Sequence, residues 1–201
     1  MLILFDLDGT LWDTSHSTLE NANIILRKYN LKEVDMNIVV SNMGKNIEEC
    51  SKSYMPELEK DKRISIQKEI IENNTKDIIN NKKAIIYNGV ELTIKELKKK
   101  YILGIVTNST KEYAEAFIKQ SNLNGYFDIV IGAADFNLDK GIVLKEIKEK
   151  YNLNTYYVGD TIMDEEAAKY AGVHFVYASY GFGDSVDSDY QIDNIEQLVD
   201  L

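Results

Sequence analysis

The stretch MLILFDLDGTLWDTS, residues 1–15, decides the fold. Five apolar residues run directly into Asp6, Leu7, Asp8 and Gly9. A short apolar run that ends at polar residues and a glycine predicts a buried strand, in which side chains i and i+2 point to the same side. Asp6 and Asp8 should therefore emerge together at the end of this strand. Their two negative charges repel each other unless a positive group lies between them.

Composition limits the classes of protein that the chain can be. With 201 residues, 44% of them hydrophobic and 28% charged, it has the length and balance of a soluble core domain with a modest insertion. A net charge of −10 with scattered lysines predicts no nucleic-acid partner. No apolar run is long enough for a membrane span, and the first residues lack the features of a signal peptide. With one cysteine, Cys50, the chain is expected to be cytoplasmic.

Apolar runs and helical patterns alternate along most of the chain. Strands are predicted at residues 2–5, 101–107, 127–132, 155–159 and 173–179, and helices at residues 111–120, 140–151 and 163–172. This alternation is typical of an α/β protein with a doubly wound parallel sheet that helices cover on both faces.

Residues 14–84 interrupt the alternation. They contain no clear strand pattern, whereas residues 17–30 and 56–81 have the spacing of amphipathic helices, and Pro56 is expected to open the second helix. We therefore predict a catalytic core of residues 1–13 and 85–201, with residues 14–84 inserted as a small helical cap.

Polar residues follow several of the predicted strands. In doubly wound sheets, ligands bind at the carboxyl ends of the strands. Taken singly, each polar residue is explained equally well as part of a turn or a helix cap, but their recurrence at successive strand ends favours one common site. The residues are Asp6, Asp8, Thr107, Asn108, Lys140, Asp160 and Asp164.

Phosphoryl transfer through a carboxylate is the chemistry that needs this set. Asp6 would act as nucleophile and form an aspartyl phosphate, while Asp8 would protonate the leaving alcohol and then deprotonate a water. The predicted cofactor is Mg²⁺, held by oxygen ligands that include a backbone carbonyl. The predicted metal site comprises Asp6, Asp8, Asp160 and Asp164, with Asp164 acting through a coordinated water. Lys140 would shield negative charge, and Thr107 with backbone amides near Gly9 and Asn108 would bind the phosphoryl oxygens.

Four motifs resemble the haloacid dehalogenase-like hydrolase superfamily over almost the whole chain. They are FDLDGTLWDT (residues 5–14), IVTNS (105–109), the lysine of LDKGIVL (138–144) and VGDTIMDEEAA (158–168). The resemblance implies a Rossmann-like core, a Mg²⁺-dependent aspartyl-phosphate mechanism and a helical cap inserted after the first motif. Asp8 is similar to the second acid of the phosphatase branch and speaks against carbon–halogen cleavage. The segment YASYGFG (177–183) resembles a loop of the phosphoglycolate phosphatase-like subgroup.

One position departs from the motifs of the superfamily, and another has a role that the resemblance leaves open. Gly141 follows the motif lysine where many members of the superfamily have proline, which is expected to loosen the start of the helix. In the cap, Lys45 aligns roughly with a loop that members use to contact substrate, so it is either a specificity residue or a solvated surface lysine. A calcium loop over residues 135–146 is disfavoured, because Lys140 stands where a glycine is required.

The sequence thus predicts a Mg²⁺-dependent phosphatase of small phosphorylated metabolites, with no nucleic-acid or membrane partner and a monomeric or homodimeric state. Two alternatives stay open. The same phosphoaspartate chemistry would serve a sugar phosphomutase, and a regulatory or binding protein could retain the fold without catalysis.

Overall fold

The computed structural model describes residues 1–184 and 187–200. In chain order the elements are β1 (Leu2–Phe5), β2 (Trp12–Asp13), α1 (Ser15–Lys28), α2 (Met36–Val40), α3 (Ile47–Tyr54), α4 (Lys60–Asn81), β3 (Ile85–Ile86), α5 (Val90–Lys98), β4 (Ile102–Thr107), α6 (Lys111–Gln120), β5 (Ile129–Gly132), α7 (Lys140–Tyr151), β6 (Thr155–Gly159), α8 (Ile162–Ala171), β7 (His174–Ala178) and β8 (Tyr190–Ile192). Short 3-10 helices cover Ala133–Phe136 and Ile195–Asp200.

Six parallel strands form the central sheet in the order β5-β4-β1-β6-β7-β8. Strand β1 lies between β4 and β6, and its residues 2–5 pair with residues 102–105 on one side and 155–158 on the other. All four residues of β1 are buried, as expected for a strand that helices cover on both faces. The predicted α/β fold with a parallel sheet is confirmed.

Alternate residues of β1 enter different cores. Ile3 and Phe5 pack into a cluster with residues of α5 and α6, whereas Leu2 and Leu4 pack into a second cluster with residues of α7 and α8. The two clusters lie on opposite faces of the sheet, because successive side chains of a strand point to opposite sides. This arrangement is the doubly wound architecture that the sequence predicts.

Helices α1 to α4 pack around a third cluster, which includes Leu26, Val39 and Ile70. Helix α4 begins at Lys60 and not at Pro56, so the predicted start of this helix was wrong. The backbone N–H of Leu58 donates a hydrogen bond to the carbonyl of Met55 (3.2 Å), and this turn separates the proline from the helix.

A two-stranded antiparallel ribbon joins the two chain segments between the sheet and these helices. Trp12 of β2 pairs with Ile86 of β3, and Asp13 pairs with Ile85. The ribbon lies where the sequence predicts the division between core and cap, at residues 13/14 and 84/85, and this division stays a prediction. Strands of two residues are too short to show a periodic pattern, so the ribbon itself was not predicted.

The described residues also bear on membrane association. Within residues 1–184 and 187–200, none of the helices combines the length and the apolar character needed to cross a membrane.

Candidate active site

The residues predicted from the strand ends lie along one edge of the sheet. Asp6 follows β1, Asp160 follows β6, and Thr107 is the last residue of β4. Lys140 is the first residue of α7, and Asp164 lies in the first turn of α8. Because β4, β1 and β6 are neighbours in a parallel sheet, their carboxyl ends bring these side chains together.

Lys140 supplies the positive charge between the carboxylates. Its Nζ donates hydrogen bonds to Asp6 Oδ1 (2.8 Å) and Asp164 Oδ1 (2.7 Å), and the residue is only 3% exposed. Burial lowers the pKa of the ammonium, but the two carboxylates outweigh this effect and hold the pKa above its usual value. The lysine is therefore charged at neutral pH.

The backbone at the start of α7 explains the glycine that follows Lys140. Gly141 donates its backbone N–H to Oδ1 of Asp139, the N-cap residue (2.8 Å). A proline at residue 141 has no N–H and could not make this bond. The Asp139 N-cap bond therefore opposes the expected loosening of the start of α7. This bond can form because residue 141 is not a proline.

Asp6, Asp160 and Asp164 form a buried acidic group. One carboxylate oxygen from each lies within 4.8 Å of those of the other two. Burial raises the pKa of Asp6 to about 7, with Lys140 opposing the shift, and burial also raises the pKa of Asp160 well above its usual value. Burial acts in the same direction on Asp164, but the charge and hydrogen bond of Lys140 lower its pKa overall. Three clustered carboxylates are typical ligands of a hard cation.

Asp160 is held by the backbone around it. Thr10 Oγ1 donates a hydrogen bond to its Oδ1 (3.2 Å), and the backbone N–H of Phe182 donates one to Oδ2 (2.7 Å). A Cβ atom on Gly9, which has a φ of +84°, would lie 2.0 Å from Asp160 Oδ2, and one on Gly181 would lie 2.2 Å from the Asp160 Cβ. Both glycines are needed because the backbone passes so close to this carboxylate.

This contact gives two sequence features a structural role. Gly9 was predicted to bind phosphate through nearby backbone amides, and in the structure its lack of a side chain makes room for Asp160. The segment YASYGFG, which resembles a subgroup motif, closes over the same carboxylate through Gly181 and Phe182.

Asp164 is both a partner of Lys140 and a helix-capping residue. Its Oδ2 accepts hydrogen bonds from the Thr161 hydroxyl (2.7 Å) and the Thr161 backbone N–H (3.1 Å). Thr161 is the N-cap of α8, and the two residues form a reciprocal capping box. These bonds fix the position of the Asp164 carboxylate within the acidic group.

Asp8 has a different environment from the acidic group. Its Oδ1 accepts hydrogen bonds from Thr14 Oγ1 (2.6 Å) and the Tyr113 hydroxyl (2.8 Å). Burial raises the pKa of Asp8, and these two hydrogen bonds oppose the shift. Sequence reasoning missed Tyr113, because a tyrosine on the apolar face of α6 has the spacing of an ordinary core residue.

A cavity of about 110 Å³ separates this edge of the sheet from helices α1 to α4, which form the predicted cap. On the sheet side it is lined by Asp6, Asp8, Thr107, Asn108 and Tyr113. On the cap side it is lined by both polar and apolar residues, among them Asn42, Lys45, Gln67, Ile70 and Asn74. The predicted catalytic carboxylates Asp6 and Asp8 therefore face a small chamber under these helices.

Three predicted binding residues, Asn108, Lys45 and Thr107, line the cavity and make hydrogen bonds beside it. Asn108 donates its side-chain N–H to the Gly44 carbonyl (2.6 Å), which links the end of β4 to a cap loop. The neighbouring Lys45 is partly buried at the cavity and donates from Nζ to Asn42 Oδ1 (3.4 Å). Thr107 Oγ1 accepts the Ser109 backbone N–H (3.2 Å).

A family model described as haloacid dehalogenase-like hydrolase matches residues 3–178. The chain belongs to the haloacid dehalogenase-like hydrolase family. It is 30% identical over 189 residues to a phosphoglycolate phosphatase of Aquifex aeolicus (strain VF5), a match that covers 90% of this chain and 85% of that protein. It is 24% identical over 213 residues to pyrophosphatase PpaX of Bacillus mycoides (strain KBAB4), covering 99% and 94%.

Solved structures share the fold of this chain. A predicted phosphoglycolate phosphatase from Haemophilus somnus 129pt aligns with a TM-score of 0.86 at 23% identity, over 99% of this chain and 96% of that one. The haloacid dehalogenase-like fold and the phosphoglycolate phosphatase-like subgroup that the sequence predicts are confirmed, and the protein is a hydrolase of this phosphatase group. The roles of the individual site residues stay predictions.

Proposed function

We propose that this haloacid dehalogenase-like hydrolase is a Mg²⁺-dependent phosphatase that hydrolyses small phosphomonoesters through an aspartyl phosphate on Asp6. One observation carries the proposal. Asp6 is buried, joined to Lys140 at 2.8 Å and grouped with two further carboxylates, yet it lines a cavity that a substrate can occupy. A buried carboxylate at a cavity that can receive a phosphoryl group is suited to nucleophilic attack.

The three carboxylates of the acidic group support the binding of a divalent cation that prefers oxygen ligands. The acidic group Asp6, Asp160 and Asp164 would hold Mg²⁺ together with a backbone carbonyl and waters, because Lys140 supplies only one positive charge for three carboxylates. The Asp8 carboxylate bonds Thr14 and Tyr113, which favours proton transfer as its role over metal ligation through the side chain. When bound, Mg²⁺ would neutralise negative charge at the transferring phosphoryl group.

The residues of the site act in two successive half-reactions, formation of the phosphoenzyme and its hydrolysis. An Asp6 oxygen attacks phosphorus, the bond from phosphorus to the ester oxygen breaks, and the Asp8 proton passes to the leaving alcohol. Asp8 then takes a proton from a water that attacks the phosphoenzyme, which releases phosphate and the Asp6 carboxylate. Lys140 orients Asp6, while the Thr107 hydroxyl and backbone N–H groups near Asn108 bind phosphoryl oxygens.

The size of the chamber supports a small phosphorylated metabolite as substrate. The cavity of about 110 Å³ lies well below the several hundred Å³ typical of pockets for drug-sized ligands. Relatives named phosphoglycolate phosphatase and pyrophosphatase also support a compact substrate. Lys45 would contribute positive charge at the cap side of the cavity. We propose a cytoplasmic enzyme, monomeric or homodimeric.

Phosphate release from a panel of phosphomonoesters tests this function. We expect release with Mg²⁺ from small esters, no release in EDTA, and no phosphoenzyme in Asp6→Asn. Asp8→Asn should still bind substrate but slow both formation and hydrolysis of the phosphoenzyme. Lys150→Met, an exposed position on α7, serves as a matched control and should keep wild-type activity.

The same panel separates the alternatives. Conversion of a hexose 1-phosphate to its isomer without free phosphate would instead support a sugar phosphomutase. A wild-type protein that binds phosphate esters but turns none of them over would support a non-catalytic binding protein. An Asp6→Asn variant that still accumulates phosphoenzyme would refute the assignment of the nucleophile.

A further inference from the structure

One polar side chain on the cap side of the cavity has a buried oxygen without a partner among the described residues. Gln67 of α4 is 5% exposed and lines the same cavity as Asp6 and Asp8. Its Oε1 is buried and accepts no hydrogen bond from any residue within 1–184 or 187–200. Buried polar groups in folded proteins almost always have partners, so an unpaired carboxamide at a cavity points to a ligand.

Neighbouring polar residues of the cap do have partners. Asn74 Oδ1 accepts from the Ser17 hydroxyl (2.7 Å), and Asn74 Nδ2 donates to Thr18 Oγ1 (3.1 Å). Asn42 Nδ2 donates to the Ile38 carbonyl (2.7 Å). Asn74 and Asn42 therefore find partners within the predicted cap, whereas Gln67 Oε1 finds none among the described residues.

Because the surroundings of Gln67 are mostly apolar, a hydrogen bond to this side chain would distinguish polar leaving groups from apolar ones. The cap side of the cavity includes the apolar residues Val39, Ile70 and Ile71 and the largely apolar Tyr54. A leaving group that enters this space loses most of its water, so a polar atom must find a protein partner or lose binding energy. The carboxamide offers an acceptor and donors, which suits an oxygen-bearing group.

We propose that Gln67 is a specificity-determining residue whose carboxamide binds an oxygen at the far end of the leaving group of a short phosphomonoester. This inference rests on the proposed function for the phosphoryl end of the substrate. The unpaired Oε1 is an acceptor, so a hydroxyl would donate to it; a carboxylate would instead accept from the carboxamide N–H, and Lys45 at the same cavity would add positive charge for it. An alkyl group of the same size leaves Gln67 unpaired and is rejected.

A matched set of non-hydrolysable phosphonates tests the inference by calorimetry in the presence of Mg²⁺. The probes are 3-phosphonopropionate, 3-hydroxypropylphosphonate and butylphosphonate, which differ only at the end away from phosphorus. We expect the wild type to bind at least one oxygen-bearing probe about tenfold more tightly than butylphosphonate, and Gln67→Leu to reduce this ratio to about twofold or less. The stronger of the two oxygen-bearing probes identifies the group.

Controls keep the result interpretable. Gln120 also has a buried Oε1 without a partner among the described residues, but it lies away from the catalytic cavity, so Gln120→Leu should keep the wild-type ratio. Gln67→Met, an apolar variant of similar length, replaces Gln67→Leu if the latter does not fold. A ratio that is equal in the wild type and the Gln67 variants overturns the inference.

Stability without ligand gives a second readout. Removal of an unpaired carboxamide should leave the melting temperature of Gln67→Leu unchanged or raised, whereas a clear decrease would show a structural role and overturn the inference. Phosphate release from 2-hydroxyethyl phosphate, phosphoglycolate and propyl phosphate is measured in parallel. Absence of release from all three contradicts the proposed function, while the phosphonate ratios still decide the role of Gln67.

Discussion

Replacement of Lys140 by methionine should destabilise the metal-free protein strongly. The Lys140 Nζ lies 2.8 Å from Asp6 Oδ1 and 2.7 Å from Asp164 Oδ1, and both carboxylates are almost fully buried. At an effective dielectric constant of 20, each contact contributes a gross attraction of about 6 kcal/mol, most of which offsets the cost of burying the charges. Removing one partner of such a group costs about 3–5 kcal/mol, because the remaining charges stay buried without compensation.

This cost is measurable by thermal unfolding in EDTA. For a chain of this length, about 3–5 kcal/mol corresponds to a decrease of roughly 6–20 °C in melting temperature. Mg²⁺ should raise the melting temperature of Lys140→Met more than that of the wild type, because the variant site carries one more uncompensated negative charge. Phosphate release by the variant should fall by at least about 100-fold, since Asp6 loses its orienting partner.

The control is Lys145→Met, an exposed residue on the same helix whose Nζ lies 5.8 Å from the Tyr170 ring centroid, and it should change the free energy of unfolding by less than about 1 kcal/mol. A loss below about 1 kcal/mol for Lys140→Met in EDTA would refute the reasoning, because it would mean that the three carboxylates do not depend on this lysine. An equal effect of Mg²⁺ on both proteins would count against Asp6 and Asp164 as parts of the metal site.

Three further variants test other contacts. Tyr113→Phe removes the 2.8 Å hydrogen bond to Asp8 and should lower kcat about tenfold with little change in KM; an unchanged kcat would contradict a positioning role for Tyr113. Gly181→Ala would put a Cβ 2.2 Å from the Cβ of Asp160. The Mg²⁺ concentration for half-maximal activity should therefore rise at least about tenfold, and an unchanged Mg²⁺ requirement would argue against Asp160 as a ligand. Gly104→Ala would crowd neighbouring strands at 2.7 Å and should cost about 1–3 kcal/mol in urea unfolding, without a change in Mg²⁺ requirement.

Most of the central sheet could be predicted from local patterns. Strand β1 is an uninterrupted apolar run, and β4, β6 and β7 begin and end within one residue of their predicted bounds, while β5 begins two residues later. Helix α5 was missed although Val90, Ile94 and Leu97 have helical spacing, so its signal was present in the sequence. Strand β8 gave no such signal, because it is three residues long and mostly exposed at the sheet edge.

The positions of the main site residues followed from a rule about parallel sheets. Asp6, Thr107 and Asp160 could be expected at one edge because each ends or follows a strand of the same sheet, whichever residues lie between them. Lys140 and Asp164 were placed by the same rule, as residues at the starts of helices.

By itself, therefore, the sequence determined the fold class, the family and the strand-end residues, because each of these depends on short-range pattern and on the order of elements. Only the tertiary structure decided what each polar group contacts. Gly9 makes room for Asp160, Tyr113 bonds Asp8 across 105 positions, and Gln67 Oε1 at the cavity has no partner in the described part of the chain. Such contacts join segments that are distant in the chain, and periodicity along one segment carries no information about what lies opposite it. The two carboxylates of FDLDGT have separate surroundings for this reason, one beside Lys140 and the other beside Tyr113.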